Sequence, residues 1–213
     1  MSRTFTNRLG GALLVLALAA CAVPGALVRK PATAQDPGAS TASQRFASLE
    51  REAADVEVSA ASAQLFDQAL AQLRAGEFAA AIEPLSRVTR SQPELSGPWL
   101  NLGLARLALG ESDAAEQAFE RAIRANPMNC NAYNELGVLE RENGEIENAE
   151  AAYLACLDRD PSFAAAHLNL GILYELYLGR LPDALDSYRS YQQIAGEEDP
   201  KVKGWIVDLE RRL

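Results

Sequence analysis

A 34-residue period constrains this chain more than any other feature. Pro93, Pro127 and Pro161 are 34 apart, and so are Gly103, Gly137 and Gly171. Gly76, Gly110 and Gly144 keep the period, with Gly179 one residue late. Ala81, Ala115 and Ala149 do the same, with Ala184 after the same slip. Columns of different chemistry agreeing on one spacing mean a repeated supersecondary unit. Trp99, Leu102, Gly103 and Arg106 fall at i, i+3, i+4 and i+7, one face of a helix, and Ala115, Phe119 and Ala122 make the matching face of a second. Gly110 suits the left-handed residue that ends the first helix, and Pro127 cannot continue the second. Glu111 and Asp113 put negative charge at the second helix's start, where its dipole favours it. Small residues at Gly103 and Ala115 predict two antiparallel helices in close approach, with the large side chains beside that contact. No copy buries its own apolar face, so the copies must stack. A composition rich in alanine, leucine and charge, with only 7% aromatics, suits packed helices.

The clearest copy, WLNLGLARLALGESDAAEQAFERAIRANP, resembles the tetratricopeptide repeat, whose signature is W-x2-L-G-x2-Y, A-x3-F and a closing P. Trp99, Leu102, Gly103, Ala115, Phe119, Ala122 and Pro127 fill the family's places, with Arg106 where an aromatic is usual. Tyr133, Leu136, Gly137, Ala149, Tyr153, Cys156 and Pro161 fill them in the next copy. His167, Leu170, Gly171, Tyr174, Ala184, Tyr188 and Tyr191 follow, without a closing proline, and Leu65, Ala69, Ala81, Leu85, Val88 and Pro93 make a weaker first copy. The resemblance implies an all-α, right-handed superhelical solenoid of about four helix hairpins over 59–198, with copies near 62–95, 96–129, 130–163 and 164–198. After it, 199–213 puts Val202, Trp205, Ile206, Leu209 and Leu213 on one stripe, as a helix capping the open end would. Trp205 is expected there as part of the cap.

Before the repeats, residues 1–20 carry Arg3 and Arg8, a short apolar core from Leu9 to Ala20 and small exit residues, the pattern of a secretory signal too short to span a bilayer. Leu18-Ala19-Ala20-Cys21 resembles the lipobox of bacterial lipoproteins, which implies cleavage before Cys21 and its lipidation. Ordinary cleavage after Ala19 would instead leave a free thiol. Ala22, where Asp commonly means inner-membrane retention in Gram-negative bacteria, resembles the outer-membrane-sorted class. Residues 21–58 read as a linker, with Pro24, Pro31 and Pro37 among small polar residues. Within it Phe46, Leu49, Ala53 and Val56 keep near-helical spacing.

No nucleophile motif, phosphate loop or paired metal spacing occurs, so neither an enzyme, a cofactor nor a metal is expected. His167, the single histidine, shares the packing column of Trp99 and Tyr133 and reads as structural. A net charge of −9 without a basic stripe argues against nucleic acid. Cys130 and Cys156 sit near one end of the same hairpin, and two readings stay open: a disulfide staple, or Cys156 filling the small-residue column of Ala122.

In the family this chain resembles, the first helices of successive repeats line an inner groove that holds a peptide. The matching positions are Phe66, Leu70 and Leu73; Leu100, Leu104 and Leu107; Asn134, Val138 and Arg141; and Leu168, Ile172 and Glu175. Leu100 and Leu104 stand where the family's carboxylate clamp uses Lys and Asn, which disfavours a receptor for chaperone tails. An apolar groove with an acidic rim suits an apolar or amphipathic basic segment, unless Phe46–Val56 or tighter helix packing covers it. The resemblances together imply a membrane-anchored adaptor on the periplasmic face of the outer membrane, serving a pilus, a secretion channel or a TonB-type system. The alternative is an accessory regulator of a cell-wall enzyme or envelope sensor.

Overall fold

The computed structural model describes residues 58–196 and 199–213. The leader 1–20, Cys21, the linker up to residue 57 and its Phe46–Val56 stripe lie outside the described residues. The first hairpin is α1 (Ala60–Arg74) and α2 (Phe78–Ser91), and the second is α3 (Ser96–Ala108) and α4 (Ser112–Ala125). The third is α5 (Cys130–Asn143) and α6 (Ile146–Arg159). The fourth is α7 (Ala164–Leu173), continued by a π-helical turn (Tyr174–Leu178), and α8 (Leu181–Ala195). Helix α9 (Pro200–Arg212) closes the series, and no strand occurs among the described residues. Each helix packs chiefly on its neighbours in sequence, the contact pattern of a solenoid.

The glycine columns explain the hairpin geometry. Gly76, Gly110, Gly144 and Gly179 all have positive φ, as the chain reverses after each first helix. The other column serves close packing, but against a partner different from the one expected. A Cβ on Gly103 would lie 2.4 Å from Phe119 Cε1, on Gly137 2.7 Å from Tyr153 Cε1, and on Gly171 2.4 Å from Tyr188 Cδ1. The aromatic ring of each second helix therefore lies directly on the glycine of the first, rather than beside a glycine–alanine contact. Phe119, Tyr153 and Tyr188 are correspondingly buried.

The one-residue slip of the fourth copy has a local cause. At the ends of three first helices a backbone bond spans five residues: Glu77 N to Gln72 O, Glu111 N to Arg106 O, and Glu145 N to Glu140 O. The corresponding bond in the fourth copy, Arg180 N to Tyr174 O, spans six. The inserted residue is absorbed as a π turn, so α8 still meets α7 in register.

Helix α9 caps the stack as its stripe predicted. Asp199 accepts from the backbone of Lys201 and Val202 at its start, Val202 and Leu209 are fully buried, and Trp205 packs on Tyr188 at 5.3 Å between ring centroids. Leu213 departs from that expectation: it lies beyond the helix end and is exposed.

Candidate functional site

The twelve positions expected to line a groove come from α1, α3, α5, α7 and the π turn, but they do not form an open apolar surface. Leu70, Leu73, Leu100, Leu104, Val138, Leu168 and Ile172 are buried, as are the polar Asn134 and Arg141, while Phe66, Leu107 and Glu175 are half-buried. Leu70, Leu73, Leu100 and Leu104 are continuous with one apolar core, and Val138, Leu168 and Ile172 with a second. Burial is unbroken along α3 from Leu100 to Ala105 and along α7 from Leu168 to Leu173. Six consecutive helical residues, each about 100° from the last, visit every side of a helix.

Polar contacts join the first helices where these leucines end. Asn169 Nδ2 donates to Asn134 Oδ1 at 2.8 Å, linking α7 to α5. Arg141 donates to Tyr177 Oη at 3.2 Å, with its guanidinium over the Tyr177 ring. Glu175 is not a free rim acid: it accepts from Tyr188 Oη at 3.1 Å and pairs with Arg212 of α9 at 2.8 Å. The π turn thereby ties the last repeat to its cap. It also leaves Leu176 and Tyr177 exposed. On the neighbouring side Arg180 bonds Glu150 at 2.8 Å and Asp183 at 2.6 Å and lies over the Tyr174 ring. Burial first, and a hydrogen bond to Glu150 second, push the Tyr174 hydroxyl up to about 12.

Asn101 and Asn169 were not singled out from the sequence. Their spacing of 68 residues, twice the period, is the signal that could have found them. Both are buried, Asn101 donates to Gly97 O at 2.9 Å, and each keeps an Oδ1 with no hydrogen-bond partner.

His167 and the cysteines prove to be repeat chemistry. Trp99 Nε1 donates to Pro93 O at 2.9 Å, and His167 Nε2 lies 2.9 Å from Pro161 O, the same contact to the proline six residues earlier. Tyr133, between them in the column, is covered by the Arg159 guanidinium. Ser96 Oγ donates to Ala122 O at 2.8 Å, and one period later Cys130 Sγ donates to Cys156 O at 3.0 Å. The structure carries both cysteines as buried thiols rather than as a disulfide, with the Cys130 thiol in the place of the Ser96 hydroxyl and Cys156 in the place of Ala122. Burial and the Cys130 contact push the Cys156 thiol up, away from thiolate chemistry.

A cluster of carboxylates joins the second and third repeats. Glu140 on α5 is pushed up to about 7, first by burial and then by Glu145, Glu116 and Glu120. Glu116 on α4 is raised by burial and by Glu145, Glu120 and Asp113. Among the described residues no group of three or more His, Cys, Asp or Glu side chains is placed to hold a metal ion.

A tetratricopeptide repeat family model matches residues 66–129, 100–161 and 134–200. The chain belongs to the tetratricopeptide repeat family. A crystal structure of MamA is similar at 25% identity over 63% of this chain and 78% of that one, with a TM-score of 0.59. PilF of Pseudomonas aeruginosa aligns at 19% identity over 71% of this chain and 68% of that one, with a TM-score of 0.64. A thermophilic repeat protein of Thermus thermophilus, TTC0263, aligns at 24% over 68% of this chain and 79% of that one, with a TM-score of 0.58. The last two carry the fold alone. No curated protein sequence matches significantly. Membership makes the chain a protein-interaction scaffold built of stacked helix hairpins.

Proposed function

We propose that this repeat protein is an exported, lipid-anchored adaptor, held by Cys21 on the periplasmic face of the outer membrane. Its stack receives an apolar or amphipathic basic segment of another envelope protein during assembly or operation of a pilus, secretion channel or TonB-type complex. The observation that carries this reading is an interaction solenoid joined to a chain that begins with an apolar leader ending in Leu-Ala-Ala-Cys. A single acyl chain binds membranes only marginally, whereas two or more hold stably. The linker then sets the reach. At about 5–6 Å times the square root of its residue number, a linker over 22–58 reaches a few tens of ångström.

One feature supports the partner's chemistry: the net charge of −9 favours a basic segment.

The test places a photo-crosslinking residue at half-buried Leu107 in cells, with and without Cys21→Ser. A discrete envelope partner at Leu107, lost when Cys21→Ser releases the protein from the membrane fraction, is the expected result. Unchanged membrane retention of Cys21→Ser overturns the anchor, and no specific adduct at Leu107 overturns the adaptor.

A further inference from the structure

We infer that Cys130 and Cys156 are a redox pair, joined as a disulfide by an external oxidant while the chain folds and sealed when the third repeat packs. The two side chains already face one another. Cys130 Sγ donates to Cys156 O at 3.0 Å, from the start of α5 to the last turn of α6. A side-chain hydrogen bond also joins the two thiols. Both lie with Ala166 in one small apolar cluster, closed off from water. The approach is built into the repeat, since Ser96 Oγ reaches Ala122 O at 2.8 Å one period earlier. The residue types set the third repeat apart. One column reads Ser62, Ser96, Cys130 and Ala164, and the other Val88, Ala122, Cys156 and Tyr191. In the second repeat a hydroxyl facing an alanine makes this bond, so sulfur at both facing places is more than the bond requires.

The chemistry balances with one external reactant, a protein disulfide of the thiol-oxidoreductase class. For that oxidant the inference rests on the export proposed above, because such disulfides persist in oxidising compartments. In the unfolded chain the Cys130 thiolate attacks one sulfur of the oxidant, forming a mixed disulfide and releasing the first oxidant thiolate. The Cys156 thiolate then attacks Cys130 Sγ, which forms the Cys130–Cys156 bond and releases the second. The two cysteines give up two electrons and two protons, and the oxidant leaves as a dithiol. Folding then shuts the exchange off, since attack needs an accessible sulfur and both are buried. The bond links positions 26 apart and ties α5 to α6. Stability of a stacked array sums over its units and their contacts, so a locked third hairpin steadies the repeats on either side of it. The match to Ser96 describes the reduced pair. Single-cysteine variants, which cannot pair, are therefore compared with the reduced wild type.

The test uses the full chain with Cys21→Ser, which leaves these two thiols alone. The chain is unfolded in urea with dithiothreitol, refolded in a buffer of oxidised and reduced glutathione, then denatured, alkylated and mapped by mass spectrometry. A Cys130–Cys156 link within a monomer is the expected result, with an unfolding midpoint about 5–10 °C above that of the same chain in dithiothreitol. Two alkylated thiols, glutathione held on either cysteine, or a linked dimer overturns the inference. The double variant Cys130→Ser, Cys156→Ala rebuilds the pair of the second repeat. Its midpoint should be the same in both buffers, and a remaining difference overturns the assignment to this pair. The seal is read from reduction of the linked chain by dithiothreitol, expected to be at least about tenfold slower without urea than with it. Equal rates overturn it. Membrane retention of Cys21→Ser in cells, by contrast, defeats the anchor and leaves these results standing.

Discussion

Single residues here are best understood through their equivalents one period away. Cys130 and Ser96 make the same inter-helix bond, to Cys156 O and Ala122 O. Cys130→Ser should therefore leave stability within about 0.5 kcal/mol, whereas Cys130→Ala should lose about 1 kcal/mol, the net value of one such bond. Urea unfolding of both variants reads the difference. Glycines divide by what faces them. Gly103→Ala pushes a methyl group to 2.4 Å from the buried Phe119 ring, an overpacking that costs about 1–3 kcal/mol. Gly204, inside α9, has nothing within 4 Å of the Cβ it lacks, so Gly204→Ala should stabilise by about 0.5–1 kcal/mol. The columns of Gly, Ala, Pro and aromatic residues were legible because a repeated unit writes each packing contact several times. The pairing of glycine with ring was not legible, since a spacing shows that positions are equivalent and not which of them touch.

At the scale of elements, the π turn is where the pattern bends without breaking. The slip at Gly179 and Ala184 was visible in the sequence, but a spacing cannot say whether a loop or a helix takes up the extra residue. The structure places it inside the helix, between Tyr174 and Arg180, because α7 must still set Gly171 under Tyr188. Deleting exposed Leu176 should then restore an ordinary 34-residue copy and leave a cooperative, folded chain. Deleting exposed Glu142, at the end of an α5 already in register, turns the Gly144 reversal out of place and should cost about 2 kcal/mol or more relative to the Leu176 deletion. Paired urea titrations followed by circular dichroism decide between these outcomes, and equal losses would show that the π turn does not carry the insertion. The groove was read less well than the hairpins. Family spacing places Leu100, Leu104, Leu168 and Ile172 on inner helices, but how closely neighbouring helices close over an apolar face is set by packing between copies and leaves no periodic trace in the sequence.

Over the whole molecule, cohesion passes from repeat to repeat, because helices pack mainly on their sequence neighbours. The contact of the second and third repeats is therefore a point where one titrating group affects the entire stack. Glu140 sits there with its carboxyl raised to about 7, by burial first and then by Glu145, Glu116 and Glu120. The ordinary value, 4.5, stands for the unfolded chain. Between about 4.5 and 7 the folded state holds a proton that the unfolded state has released. Its contribution is fully present below pH 4.5 and is lost as pH rises through 7. Because Glu140 is only partly buried, solvent screening reduces the effect to about 1 kcal/mol. Glu140→Gln keeps the shape and removes the titration. It should raise stability by that amount at pH 8, leave it nearly unchanged at pH 4.5, and flatten the fall between them. Unfolding midpoints across this range test the assignment, and a wild-type slope that survives in Glu140→Gln would place the responsible proton on another carboxylate of the cluster.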